Sequence, residues 1–297
     1  MKKIFKCQLI GGLGNQIFQN VILDWIQKKS NKEIIISKFD YAFINNKIRN
    51  LRGVQSLYYS EWLNSNHLTN NNPMFVKNII YRLNKFLPGE KKFITDDLFF
   101  LGLKNGKDFL LKKLLEGRFM RAHCIFPQVI NFSEFEDSWL KILHKLEDED
   151  SKNEYDLKMN DYDITIHLRR GDYLNFPNLY YELKKEYFYN SLDILKEKLK
   201  IYGKPKCLII GNDIKWAKDN LNDSIKASYQ YKSEFYDFKT LVFSNNIILS
   251  NSSFSIAAGK LAFSRKTVQN IICPKKYYVG EHDIGPISHN DWSLSDN

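Results

Sequence analysis

Apolar positions along this chain follow two periods that alternate. Short runs of mainly apolar residues, Ile4 to Ile10, Glu33 to Ser37, Asp163 to Leu168, Lys206 to Ile210, Asn246 to Ser250 and Thr267 to Cys273, read as strands. Between them apolar residues return every three or four positions. After a glycine turn, Ile17, Val21 and Trp25 repeat at four, as do Phe18, Ile22 and Ile26, which predicts a helix with a broad apolar stripe. Further helices are predicted over 186–200, with Tyr187, Ser191, Leu192, Leu195 and Leu199 as the repeating positions, and over 214–221, 234–243 and 256–263. Strand, helix and strand in succession make a βαβ unit, which implies a parallel sheet.

The pattern occurs on both sides of residues 147–161, EDEDSKNEYDLKMND, which carry many acids and no sustained period and so read as a linker. The expectation is an α/β protein with two Rossmann-like domains facing a cleft, 1–152 and 153–297.

Composition narrows the class. With 43% hydrophobic and 26% charged residues in 297, a packed globular chain is expected. The start, MKKIFKCQLI, is basic, but its apolar run is short and is interrupted by GGLGNQ, so it does not read as a secretory signal. No window reaches the ~18 to 20 apolar residues of a membrane span. Cys7, Cys124, Cys207 and Cys273 are scattered without a C-x-x-C pair, which reads as buried thiols in a reducing compartment. A cytoplasmic protein is therefore expected.

The net charge of +10 fits nucleic acid, an acidic membrane or an anionic ligand. No RNA-binding signature, helix-turn-helix or zinc knuckle is visible, which disfavours nucleic acid. Lys77, Arg82, Lys85, Lys91 and Lys92 surround Ile79, Ile80, Leu83, Phe86 and Leu87. Two readings stay open there, a helix lying peripherally at the inner membrane surface and an ordinary amphipathic surface helix.

Four segments are candidates for chemistry. Gly11-Gly12-Leu13-Gly14-Asn15-Gln16 sits between a strand and a helix, where glycines let backbone approach a ligand. Ile17 occupies the third glycine position of G-x-G-x-x-G, so a dinucleotide site is weakly supported, and a tight turn with Asn15 capping the helix is the plainer alternative. Second, in Asp163 to Tyr173 the strand alternation puts Thr165, His167 and Arg169 on one face. Arg170, Gly171 and Asp172 follow at the strand's C-terminal end, where ligands bind in α/β sheets. Two arginines there suit a pyrophosphate, and the alternative is a salt bridge of Asp172 with Arg169 or Arg170. Third, Asp213 in Gly211-Asn212-Asp213 either caps the next helix or reaches a nucleotide. Fourth, Ser250 to Ser255 places hydroxyls and backbone N–H groups at a helix start, an anion cradle or plain capping by Ser252 or Ser253. For a metal, Asp161-Tyr-Asp163 precedes its strand and Asp148-Glu-Asp150 lies in the expected linker, so no metal is expected.

These segments together resemble the alpha-1,2-fucosyltransferases of glycosyltransferase family 11. GGLGNQIFQ at 11–19 is similar to the family's opening motif, and HLRRGDY at 167–173 to its H-x-R-R-G-D-Y. IIGNDIKWAKDNL, IILSNSSFSIAAGKLAF and IICPKKYY resemble three further motifs in order, and Tyr187-Phe188 a paired-aromatic segment. The resemblance implies a GT-B fold, a GDP-L-fucose donor, inversion, and neither metal nor cofactor. It also implies roles: Arg169 as the main diphosphate contact, with His167, Ser252, Ser253 and Phe254 lining the GDP site. Asp237 would read the guanine edge, and Asn15, with Gly14 and Gln16 beside it, would approach from the other domain. The acceptor would be a galactose-containing glycan, lipid-linked in surface-polysaccharide assembly. Asp172, the one acid inside the best motif, is nominated as general base.

The chain also departs from the family. Asn212 stands for an acid, Gly211 for a serine, and Ile256 and Ala257 for a tryptophan pair. The segment Gly117-Arg-Phe-Met-Arg-Ala lacks the Gln-Ser usual after its aromatic pair. A related donor such as GDP-colitose, a catalytically silent nucleotide-sugar-binding protein and a Rossmann oxidoreductase are the rival readings.

Overall fold

The computed structural model describes residues 4–8, 12–37, 68–69, 107–117, 119–120, 130–152, 161–280 and 287–296. The chain divides into two units, Met1–Ser138 and Trp139–Asn297. In the first, β1 (Ile4–Gln8), α1 (Leu13–Ser30) and β2 (Glu33–Ser37) realise the expected βαβ unit. β3 (Leu68–Thr69), α2 (Lys107–Glu116) and β4 (Phe119–Met120) complete it, and the sheet runs β3-β2-β1-β4, all parallel.

The apolar stripe of α1 is buried along its length, from Ile17 and Phe18 to Trp25 and Ile26. Asn31 ends the helix in the left-handed region at φ 49°, its N–H donating to the Gln27 carbonyl. Next to it the buried Lys32 turns its ammonium onto the carbonyls of Leu115 and Gly117, the latter at 2.7 Å. Leu115 is in the last turn of α2 and Gly117 is the residue after its end, so the cation sits at the negative end of that helix.

A short 3-10 turn, Ser133–Phe135, leads into α3 (Glu136–Lys152), which straddles the division between the units. The acidic run expected as a linker thus begins as helix. Trp139, Ile142, Leu143 and Leu146 form its buried stripe, and the acids of its last turns are what hid that period. The basic and apolar stretch 76–92, Cys124 and residues 153–160 lie outside the described residues. Among the described residues no helix is long and apolar enough to cross a membrane.

The second unit follows as β5 (Ile164–Leu168), α4 (Lys185–Leu199), β6 (Lys206–Gly211), α5 (Ile214–Leu221), β7 (Lys226–Tyr229), α6 (Glu234–Phe243), β8 (Asn246–Ile248), α7 (Ser253–Ser264), β9 (Asn270–Pro274) and β10 (Ser293–Ser295). Its sheet is parallel throughout, in the order β10-β9-β8-β5-β6-β7. Counted by appearance from the other edge this is 3-2-1-4-5-6, the doubly wound order, in which the chain reverses direction across the sheet between the first and fourth strands. The α/β class with parallel sheets is therefore as expected. One Rossmann-like unit follows another, as in the element order of a GT-B protein.

β5 sits in the middle, and all five of its residues are buried. Ile164, Ile166 and Leu168 pack with Tyr187, Phe188, Leu192 and Leu195 of α4 and with Ala217 and Leu221 of α5. Each such aromatic or aliphatic side chain contributes roughly 1.5–3 kcal/mol on burial. The opposite face carries Thr165, whose hydroxyl meets that of Ser244 at 2.7 Å, and then His167. Where β5 and β6 end, Gly211 adopts φ 130° and the Asn212 N–H donates to the Leu168 carbonyl at 3.1 Å. A Cβ at Gly211 would lie 2.0 Å from that carbonyl oxygen. A serine here, as in the family the sequence resembles, would bring the same Cβ to this corner.

Candidate active site

Ligands of a doubly wound sheet bind outside the C-terminal ends of the strands on either side of the reversal. Here those strands are β5 and β8. HLRRGDY continues from the first and SNSSFS from the second, so two motifs far apart in sequence meet at one place.

His167 joins them. Its Nδ1 lies 2.8 Å from the Ser250 hydroxyl and 2.5 Å from that of Ser255. Its ring stacks on Phe254 at 4.9 Å, and Phe254 stands edge-on to Phe238 at 5.2 Å. Burial, with the charge of Arg169 adding to it, pushes the imidazole down to about 3, so it is neutral at physiological pH. A base that weak takes no proton near neutrality, and His167 acts by shape and hydrogen bonding.

The start of α7 is built from hydroxyls. Ser252 is its N-cap, accepting from the Ser255 N–H at 3.2 Å, and its hydroxyl is 3.3 Å from that of Ser250. The Ser255 hydroxyl accepts from the Ser250 N–H at 3.1 Å. Capping thus claims Ser252 and the network claims Ser255. Ser253 is only half buried at the first helical position. The first N–H groups of a helix lack intrahelical acceptors and carry its positive end, which favours an anion beside such a start.

The two arginines separate in role. Arg170 is 7% exposed and held by the protein itself. Its guanidinium donates to the Leu183 carbonyl and to Glu182 at 2.8 Å, pairs with Asp213 at 3.4 Å and lies 4.2 Å over Trp216. Its backbone N–H donates to the Asn212 side chain at 3.0 Å. Asp213 also caps α5, accepting from the Trp216 N–H at 3.3 Å. The geometry therefore gives Arg170 and Asp213, both candidates for ligand contact, a task within the scaffold, and Glu182 and Asp213 are the acids on Arg170. Arg169 is half buried, with its guanidinium 5.3 Å over the Tyr173 ring. Asp172 lies in the 3-10 turn Gly171–Asn175, and its side chain is outside what the structure describes.

Asp237 sits in the first turn of α6, accepting from the Gln230 amide at 2.6 Å. Burial raises its carboxyl to about 6; the Gln230 hydrogen bond opposes that shift and the charge of Glu234 adds to it. Gln230 also donates to Thr240 at 3.1 Å. Nothing in the sequence pointed to Gln230 or Glu182, because each gains its meaning only from its partner in the fold, and Trp216 stood in the IIGNDIKWAKDNL motif without a role until the fold set Arg170 over its ring.

The remaining candidates belong to the first unit. Gly14 and Gln16 are buried and Asn15 half buried in the first turn of α1. Asn15 does not cap that helix, since the N-cap is Gly12, which supplies no side-chain acceptor. Among the described residues no three His, Cys, Asp or Glu side chains gather as metal ligands. Asp163 accepts from the Lys206 N–H at 2.7 Å, at the N-terminal end of β5 and away from the motifs.

The sheet reversal is flanked by an arginine on one strand end and a hydroxyl-rich helix start on the other, the arrangement of a doubly wound α/β protein. The chain belongs to glycosyl transferase family 11, whose model matches residues 120–282, more than half of its length. It is a glycosyltransferase.

Three solved structures show likeness at low identity. The first is an Arabidopsis thaliana FUT1 mutant in complex with GDP, with 11% identity and a TM-score of 0.45, covering 88% of this chain and 69% of that one. The E. coli heptosyltransferase WaaC with ADP has 9% identity and a TM-score of 0.45, covering 98% and 92%. A glycosyl transferase family 9 protein from Veillonella parvula has 10% identity and a TM-score of 0.41, covering 100% and 87%. No curated protein matches the chain in sequence. The family assignment rests on the matched residues and on the motifs within them.

Proposed function

We propose that this glycosyltransferase is an inverting, metal-independent enzyme that moves L-fucose from GDP-β-L-fucose to a galactoside hydroxyl in α-1,2 linkage. The observation that carries the reading is the joining of the Arg169 strand end to the start of α7 through His167, Ser250 and Ser255. This arrangement offers a guanidinium and helix N–H groups to one diphosphate. The acceptor hydroxyl attacks the anomeric carbon, the bond to the β-phosphate oxygen breaks, and GDP leaves. Arg169 and the α7 N-terminus stabilise the charge that develops on that phosphate. The acceptor proton goes to a general base, for which Asp172 is the nominee. The acceptor is a galactose-containing glycan, lipid-linked, in bacterial surface-polysaccharide assembly at the inner membrane.

The silent-protein reading rested on the missing tryptophan pair. Ile256 and Ala257 are fully buried in α7, so the change alters packing behind the motif and leaves its ligand-facing start intact. GDP-colitose remains the second donor of the same chemistry. A panel of GDP-sugars and galactosides, read by mass spectrometry, decides: a fucosylated product with sustained GDP release is expected, and GDP binding without turnover sinks the enzyme.

Asp237 gives the nucleotide reading a pH signature. Ionised, it accepts from the guanine N1–H and amino group; protonated, it loses that capacity. Its carboxyl titrates at about 6. GDP affinity is therefore expected to fall as pH drops below 6, at most about tenfold per unit, while ADP affinity shows no such limb. Asp237→Asn should bind GDP weakly at every pH. An unchanged GDP limb in that variant, measured calorimetrically, removes Asp237 from base recognition.

A further inference from the structure

A diphosphate contact needs a guanidinium held in one direction, and a free arginine side chain loses much rotamer freedom when it is held. Around Arg169 the structure supplies a support. Its Cζ lies 5.3 Å over the Tyr173 ring. Tyr173 in turn lies flat against Tyr180, with centroids 3.9 Å apart and planes 9° from parallel. Two rings stacked so closely hold each other's planes fixed. A guanidinium over a ring whose plane is fixed is attracted to a face with a set direction.

Tyr180 is itself anchored. It forms an antiparallel bridge with Tyr278, and the two rings are 5.7 Å apart. The bridge is flanked by the Tyr181 N–H donating to the Tyr277 carbonyl at 3.0 Å and the Val279 N–H donating to Leu179 at 3.1 Å. From the turn after β8, the Asn251 amide donates to the Tyr181 carbonyl at 2.6 Å and to Tyr277 at 3.3 Å. Contacts therefore run without a break from the β8 turn through the bridge to Tyr180, Tyr173 and Arg169. The turn that opens the α7 anion cradle is tied to the arginine on the other side of the sheet reversal.

We propose that Tyr173 and Tyr180 are positioning residues, a stacked aromatic pair that aims the Arg169 guanidinium at the donor diphosphate. The inference rests on the reading of Arg169 as the diphosphate contact. What Tyr173 contributes is its ring face, so its hydroxyl is dispensable for this role.

Calorimetric titration of GDP into the full chain tests it, with wild type, Tyr173→Phe, Tyr173→Leu, Arg169→Ala and the double variant Tyr173→Leu with Arg169→Ala, each with its thermal midpoint. Tyr173→Phe is expected to bind within about twofold of wild type, and Tyr173→Leu about tenfold more weakly. In the Arg169→Ala background the leucine should add no further loss, because Tyr173 acts through that arginine. That non-additivity reads the positioning role even if the leucine lowers the midpoint. Wild-type affinity in Tyr173→Leu beside a defective Arg169→Ala, or an additive loss in the double variant, overturns the inference alone. Failure of the wild type to bind GDP removes the proposed donor and the inference with it.

Discussion

Arg169→Ala is expected to lower the rate of sugar transfer by more than about 100-fold and to leave the fold intact. The two halves of that statement come from the same geometry. Arg169 lies half buried at the end of β5, where the strand has left the core, so its removal opens no cavity among Ile164, Ile166 and Leu168. In the proposed role its charge offsets the negative charge that gathers on the leaving diphosphate, an effect worth more the less water surrounds it. The neighbouring arginine provides the contrast. Arg170 holds the Leu183 carbonyl, Glu182 and Asp213, so its removal disturbs the loop and the start of α5 together. Initial rates with saturating GDP-fucose, alongside circular dichroism and thermal melting, separate the cases. Transfer within about tenfold of wild type in Arg169→Ala would end its assignment.

The second large effect is on stability. Gly211→Ala is expected to cost about 4 kcal/mol: a left-handed φ that alanine resists, together with a Cβ driven to 2.0 Å from the Leu168 carbonyl oxygen. Neither atom gives way cheaply. The Leu168 carbonyl accepts from Asn212, and Asn212 accepts from the N–H of Arg170, so moving one end of the corner moves the other. In a unit of this size the loss corresponds to a melting midpoint lower by roughly 10 °C. Gly203→Ala is the control, since a Cβ there meets nothing within 4 Å. A midpoint for Gly211→Ala that stays with the control would show that the corner relaxes.

Apolar runs made the central strands legible, and β2, α5 and α6 fall where their patterns place them. β7 and β10 did not announce themselves. KASY lies at the sheet edge with little of it buried, and SLS has one apolar residue, so neither needs the run that marks a strand covered on both faces. Helix α3 was obscured by the acids of its last turns, although Trp139, Ile142, Leu143 and Leu146 keep the helical period. In the site, alternation along β5 put His167 and Arg169 on one face and left Arg170 at the strand end. It could not say which arginine the protein keeps for itself. That depends on Glu182 and Asp213, brought to Arg170 by the fold, and on Trp216 beneath it. Asp237 was nominated by resemblance, whereas its partner Gln230, just past the end of β7, emerged only from the hydrogen bond the fold makes between them.

Asn212, which departs from an acid in the family pattern, has a consequence of its own. Its side-chain oxygen accepts the Arg170 N–H at 3.0 Å, a task a carboxylate would perform equally well. A carboxylate would also bring a full negative charge to the corner between β5 and β6, beside Arg170. The amide closes the corner without adding a third acid to the surroundings of Arg170, where Glu182 and Asp213 already stand.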